Sequence, residues 1–126
     1  MNHMDFNRFT EKLQEAVRAA QSIASQNGHQ QIDAEHLLLA LLEQQGGLAQ
    51  SILLKAGVGL EAVHRRLTQD LEKMPKVSGP AAADQVYITA RLQKLLTTAE
   101  REAKQFKDDY ISVEHVLLAA AEEKAF

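Results

Sequence analysis

No cysteine and no tryptophan occur anywhere in this chain. Without cysteine there is no disulfide framework, no thiolate nucleophile and no thiolate metal site. Aromatic residues are few, four Phe and two Tyr, so apolar packing falls mainly to Ala and Leu, which suits helices. No apolar run approaches the ~20 residues of a membrane-spanning helix. The N-terminus lacks the basic-then-apolar pattern of a secretory signal. The net charge is −3 and no basic patch stands out, which argues against nucleic acid as a partner. No G-x-x-x-x-G-K-[ST] stretch is present, so nucleotide hydrolysis is not expected of these residues. What remains is an ordinary globular composition, 45% hydrophobic and 25% charged, over 126 residues. One soluble, cytoplasmic domain is the expectation, with neither a membrane nor a nucleic acid as partner.

The strongest positive signal is a repeat. Ile32-Asp33-Ala34-Glu35-His36-Leu37-Leu38-Leu39-Ala40 recurs as Ile111-Ser112-Val113-Glu114-His115-Val116-Leu117-Leu118-Ala119, offset by 79 residues. Carried backward without a gap, the match aligns Phe9–Glu43 with Ile88–Glu122, with 13 of 35 positions identical. Chance would give about two. The expected fold is all-α, a duplicated helical unit related by a pseudo-two-fold.

Thr10 opens a first helix as N-cap, with Phe9, Leu13, Val17, Ala20 and Ala24 at helical spacing, and Asn27-Gly28 closes it. Asp33 caps a second helix that is apolar nearly all round and so belongs at the centre. Gly46-Gly47 breaks it. Leu48–Ala56 forms a short third helix ended by Gly57. A fourth, Leu60–Leu71, carries Leu60, Val63, Leu67 and Leu71 on one face. Lys73–Asp84, with Pro75, Gly79 and Pro80, reads as an irregular connector. Thr89 caps a fifth helix with Leu92, Leu95 or Leu96, Ala99, Ala103 and Phe106 inward. Ser112 caps a sixth. The expected division is repeat one at 6–72, a connector at 73–87 and repeat two at 88–126. Repeat two stops short of a counterpart to Leu48–Leu71, about 24 residues. Six helices are therefore expected of about eight, and the sequence reads as cut before the second copy is complete. Val116, Leu117 and Ala120 are expected to be less covered for that reason.

Little of the chain suggests catalysis. Gly57-Val58-Gly59-Leu60-Glu61-Ala62 fits G-x-G-x-x-A, but that fingerprint needs a strand before it and a parallel sheet around it. A helix–Gly–helix corner is the simpler account. Each copy offers one His beside one Glu, whereas zinc-binding histidines on a helix sit four apart. His36 and His115 are expected to be structural, packed near the helix start with a ring N–H bonded to backbone or carboxylate. Glu35 and Glu114 lie in first helical turns, where a carboxylate offsets the positive helix end. They could also act as recognition points for a cationic or amide-rich partner. Asp108-Asp109-Tyr110 forms a turn beside Thr10 that could rim a peptide groove. No nucleophile or oxyanion hole accompanies these carboxylates, and no enzyme, cofactor or metal site is expected.

With these motifs read, the chain resembles the N-terminal domain of Clp ATPases. The resemblance rests on Phe6-Asn7-Arg8-Phe9-Thr10-Glu11-Lys12, Asp33-Ala34-Glu35-His36-Leu37-Leu38, Leu53-Leu54-Lys55-Ala56-Gly57-Val58 and the repeat around Glu114-His115. It covers nearly the whole chain. Leu71-Glu72-Lys73-Met74-Pro75-Lys76-Val77-Ser78-Gly79 is similar to the connector of the ClpB-type disaggregases. The resemblance implies a non-catalytic domain tethered to a homohexameric ATPase ring that uses ATP and Mg. The domain would engage unfolded or aggregated polypeptide, and in some relatives adaptor proteins. Positions matching Thr10, Asp108 and Glu114 are implicated in substrate handling in disaggregases. Positions matching Glu35 and Glu114 resemble those that recognise phosphorylated arginine in the ClpC type. One departure stands out: Thr98, Glu102 and His115 fall where some disaggregases carry apolar groove residues.

Overall fold

The computed structural model describes residues 6–76 and 87–123. Most of the expected connector, 77–86, lies outside them, as do 1–5 and 124–126. A 3-10 turn at Phe6–Arg8 leads into α1 (Glu11–Gln26), β1 (Gln31–Ile32), α2 (Ala34–Glu43), α3 (Leu48–Lys55) and α4 (Leu60–Glu72). Then follow β2 (Tyr87–Ile88), α5 (Ala90–Gln105) and α6 (Val113–Glu122). The six expected α-helices are present. Among the described residues no single helix is long and apolar enough to cross a membrane.

Caps expected from the sequence are in place. Thr10 Oγ1 accepts from Leu13 N–H at 3.3 Å and Thr89 Oγ1 from Leu92 N–H at 3.0 Å. Asp33 Oδ1 accepts from Ala34 N–H at 2.7 Å. At the C-terminus of α1, Gly28 takes φ 71°, the left-handed conformation glycine adopts without strain. In the same register of the second copy stands Lys107, at φ 60°. Helix α5 therefore ends by forcing a side-chain-bearing residue into that conformation. Gly57, at φ 79°, turns α3 into α4; its preceding element is a helix, so the G-x-G-x-x-A stretch is a helical corner.

The copies are interleaved. Each long helix starts beside the central helix of the other copy. Phe9 pairs with Ile111 in a parallel bridge, and Ile32 pairs with Ile88. Thr10 N–H donates to the Ile111 carbonyl at 3.0 Å, and Thr89 N–H to the Ile32 carbonyl at 3.1 Å. These short parallel pairings were not expected. Hydrogen bonding there pairs backbone groups of the two copies where the chain segments cross.

One core joins both copies: Leu13, Ala20, Leu37, Leu41, Leu95, Leu96 and Val116 are among its buried members. Small residues at the crossings, Ala16, Ala20, Ala24, Ala99 and Ala103, let the helices approach closely. A second cluster, Leu39, Leu42, Leu67 and Leu71, seals α4 onto α2. Both Leu95 and Leu96 point inward.

Two expectations fail. Phe106 is 59% exposed, because it is the C-cap of α5 rather than part of its inward stripe. Val116 and Ala120 are buried and Leu117 is half-buried, because α3 of the first copy packs on α6. The exposed large apolar residue of α6 is Leu118, at 43%.

Candidate functional site

Three of the four residues singled out from the sequence gather at the start of α6. Thr10 is held there by its backbone bond to Ile111. Asp108 Oδ2 lies 2.8 Å from His115 Nε2. Glu114 is exposed in the first turn of α6, and the Ser112 hydroxyl donates to its Oε1 at 3.4 Å. Arg8 spans the rim: one guanidinium nitrogen donates to the Asp109 carbonyl at 3.4 Å and the other approaches Glu100 at 3.7 Å. Phe106 and Tyr110 are both well exposed on the turn between α5 and α6. The edge thus offers carboxylates and aromatic surface side by side.

Glu35 lies elsewhere, at the matching edge of the first copy. It is buried, 8% exposed, and Arg91 Nη1 donates to both its oxygens, at 3.0 and 2.8 Å. Arg91 also sits 3.8 Å from Asp33, whose Oδ1 accepts from the Thr89 hydroxyl at 3.0 Å. Burial works against the Arg91 charge, but hydrogen bonds to Glu35 and the charges of Glu35, Asp33 and Glu123 outweigh it and hold its pKa above the usual value. This network joins α5 to the start of α2. In the second copy the equivalents are Lys12, Ser112 and Glu114, and among the described residues no ion pair links Lys12 to Glu114.

Both histidines cap their own helices. Asp33 N–H donates to His36 Nδ1 at 2.8 Å, and Ser112 N–H to His115 Nδ1 at 2.9 Å. This is a capping box with His in the place of the usual Glu or Gln. The second ring nitrogen differs. His115 faces the Asp108 carboxylate, as expected, whereas the expectation fails for His36, which faces another imidazole, His29 Nδ1, at 2.9 Å because His29 stands where the second copy has Asp108. Burial first, then the neighbouring His29, lowers the His36 pKa to about 4.

Arg91 and His29 were missed in the sequence. The repeat carried the signal, since it aligns Arg91 with Lys12 and His29 with Asp108. Of the positions that depart from apolar groove residues, Thr98 and Glu102 are half-buried and His115 is buried. A hydrogen bond with Glu122, then desolvation and the Glu122 charge, push the Glu102 carboxyl above the usual range. Among the described residues no group of three or more His, Asp or Glu could hold a metal ion.

Residues 8–126 match the family described as the Clp repeat (R) N-terminal domain. The chain belongs to this family. It is 50% identical over 122 residues to the chaperone protein ClpB of Bacillus cereus, covering 96% of this chain and 14% of that protein. Against the chaperone protein ClpB of Nitratidesulfovibrio vulgaris it is 46% identical, over 97% of this chain and 14% of the relative. This Clp N-domain therefore spans about one seventh of the curated relatives it matches. Among solved structures, the Hsp104 N-terminal domain from Candida albicans superposes with a TM-score of 0.80 at 24% identity, over 93% of this chain and 75% of that one. The ClpV1 N-terminal domain from E. coli gives 0.84 at 24%, over 95% and 71%. At that identity the two structures speak to the fold. The region matched is the non-catalytic N-terminal domain of Clp ATPases.

Proposed function

We propose that this Clp N-domain is the substrate-recognition domain of a ClpB-type disaggregase. It engages unfolded or aggregated polypeptide for threading by a homohexameric ATPase ring that uses ATP and Mg, in the cytoplasm. The division into a repeat at 6–72, a connector at 73–87 and a second repeat at 88–126 is part of the same proposal. The observation that carries it is the edge at α6, where Thr10, Asp108 and exposed Glu114 lie beside exposed Phe106 and Tyr110. Amide groups and basic side chains of an extended client suit the carboxylates and its apolar side chains suit the aromatic surface, so binding is weak and tolerant of sequence. A ClpV N-domain of the same fold has been solved in complex with a VipB peptide, at a TM-score of 0.77 and 17% identity.

A second reading is adaptor docking or recognition of phosphorylated arginine, as in ClpC-type unfoldases. Glu114 favours it, because an exposed carboxylate in a first helical turn is open to a guanidinium. The matching Glu35 is already held by Arg91, so a two-site version would have to displace an internal guanidinium.

An NMR titration with an unfolded client protein, and separately with arginine phosphate, tests both. The first reading expects shifts at Thr10, Asp108 and Glu114 with the client, and binding about tenfold weaker in Glu114→Ala, the loss of one charged hydrogen bond. Shifts at Glu35 and Glu114 with arginine phosphate alone would favour the second. Client binding undiminished in Glu114→Ala would remove this edge from the proposal.

A further inference from the structure

The two histidine caps differ in what a proton would do to them. A backbone N–H can only donate, so His36 Nδ1 must accept from Asp33. The His36 proton is then on Nε2 and is given to His29 Nδ1. That places the His29 proton on its Nε2, which is buried and makes no hydrogen bond of standard geometry. The Leu71 carbonyl at the end of α4 is the acceptor that bears on it. Each ring thus uses one nitrogen to accept and the other to carry its proton. Neither has a nitrogen free for a second proton. Adding one must break either the Asp33 cap bond or the bond between the rings. Both rings are buried, 0% and 3% exposed, so water offers no ready substitute.

The surroundings do little to stabilise an added charge. Lys76, following α4, opposes a positive His29, and His29 opposes charge on His36. Asp33 favours charge on His36, but it is already engaged by Ala34, Thr89 and Arg91. Glu35 is committed to Arg91, and Tyr87 lines the same pocket as His29 and Asp33. In the second copy the place of His29 is taken by Asp108, an acceptor whatever the charge of the ring opposite.

We propose that the buried His29–His36 pair is an acid-sensitive latch in the first copy. A proton taken up there parts the two rings, frees the start of α2 and loosens the end of α4 over Leu67 and Leu71, while the His115–Asp108 edge of the second copy stays closed. The proposal is independent of what the domain binds.

The sign follows from linkage. Burial holds both rings below the ordinary value of about 6.5. Above that pH neither folded nor unfolded chain carries the charge, and stability is unaffected. As pH falls below it, the unfolded chain takes up protons that the folded chain refuses, and stability drops until the folded rings charge, for His36 at about 4.

Urea unfolding of the chain between pH 7.5 and 5.0 tests this. The unfolding constant should rise with acid by up to about tenfold per pH unit for each ring. His29→Asp, which copies the second repeat, should flatten that rise, and Asp108→His should steepen it. Imidazole nitrogen shifts in the unmodified chain need no variant to fold. They should report His36 neutral at pH 5.5 and His29 charging only below the ordinary histidine value. Amide exchange at pH 5.5 should show protection lost first at Ala34–Leu37 and in the last turn of α4, before α5 and α6. A positive charge on either ring above pH 6, an unchanged slope in His29→Asp, or uniform loss of protection would each overturn the latch.

Discussion

At the same register, 79 residues apart, the first copy ties Asp33, Glu35 and Arg91 into one shielded network, and the second leaves Glu114 exposed with Lys12 unbonded to it. The helices, caps and parallel crossings that carry these residues are alike. The difference lies in three side chains: Arg for Lys, Asp for Ser and His29 for Asp108. In the first copy one guanidinium nitrogen of Arg91 reaches both Glu35 oxygens and lies 3.8 Å from Asp33, whereas the second copy has Ser112 in place of that Asp. Duplication therefore supplies two equivalent helix starts, and local substitution makes one a structural clamp and the other an open edge. The recognition role proposed above rests on the open one.

The contrast can be broken at several points. The largest effect is expected in the layer under α4. Leu39 is 6% exposed and its counterpart Leu118 is 43% exposed. Leu39→Ala should cost about 3 kcal/mol in urea unfolding and Leu118→Ala less than about 1. Equal costs would mean that α4 does not distinguish the two copies. Next comes the clamp. Arg91→Ala strips Glu35 of its bidentate partner and should cost about 2 kcal/mol, reduced from a fully buried pair because the Arg91 side chain is 32% exposed. Lys12→Ala should leave the unfolding midpoint where it is. If both variants lose the same stability, the clamp is not specific to the first copy. The smallest effect concerns the helix ends. Gly28→Ala should destabilise by about 1 kcal/mol, and Lys107→Gly should stabilise by a similar or smaller amount, since only Gly is at ease at positive φ. Thermal unfolding of the pair resolves the opposite signs.

Much of this architecture was legible in sequence. Thr10, Asp33, Thr89 and Ser112 were readable as helix starts because a cap is satisfied within its own first turn. The centrality of α2 followed from an apolar face on every side. Phe106 was misread because helical spacing was carried one residue past the point where α5 ends. The cover over Val116 and Ala120 was misread because it comes from α3, more than fifty residues earlier in the chain. Thr10, Asp108 and Glu114, singled out from the sequence, lie together at the start of α6. Glu35 was grouped with them on sequence symmetry, and its partner Arg91, 56 residues away, sets it apart.

Sequence alone determined that the chain is helical and duplicated, where its helices start and that two Glu-His pairs mark equivalent positions. Those features depend on hydrogen bonds and periodicities spanning a few residues, which a linear pattern records. Tertiary structure decided which Glu is shielded, which His meets a carboxylate and which meets another His, and which face of α6 stays open. Each of those depends on a side chain brought across from a distant element, and burial in the shared core then sets what that contact is worth.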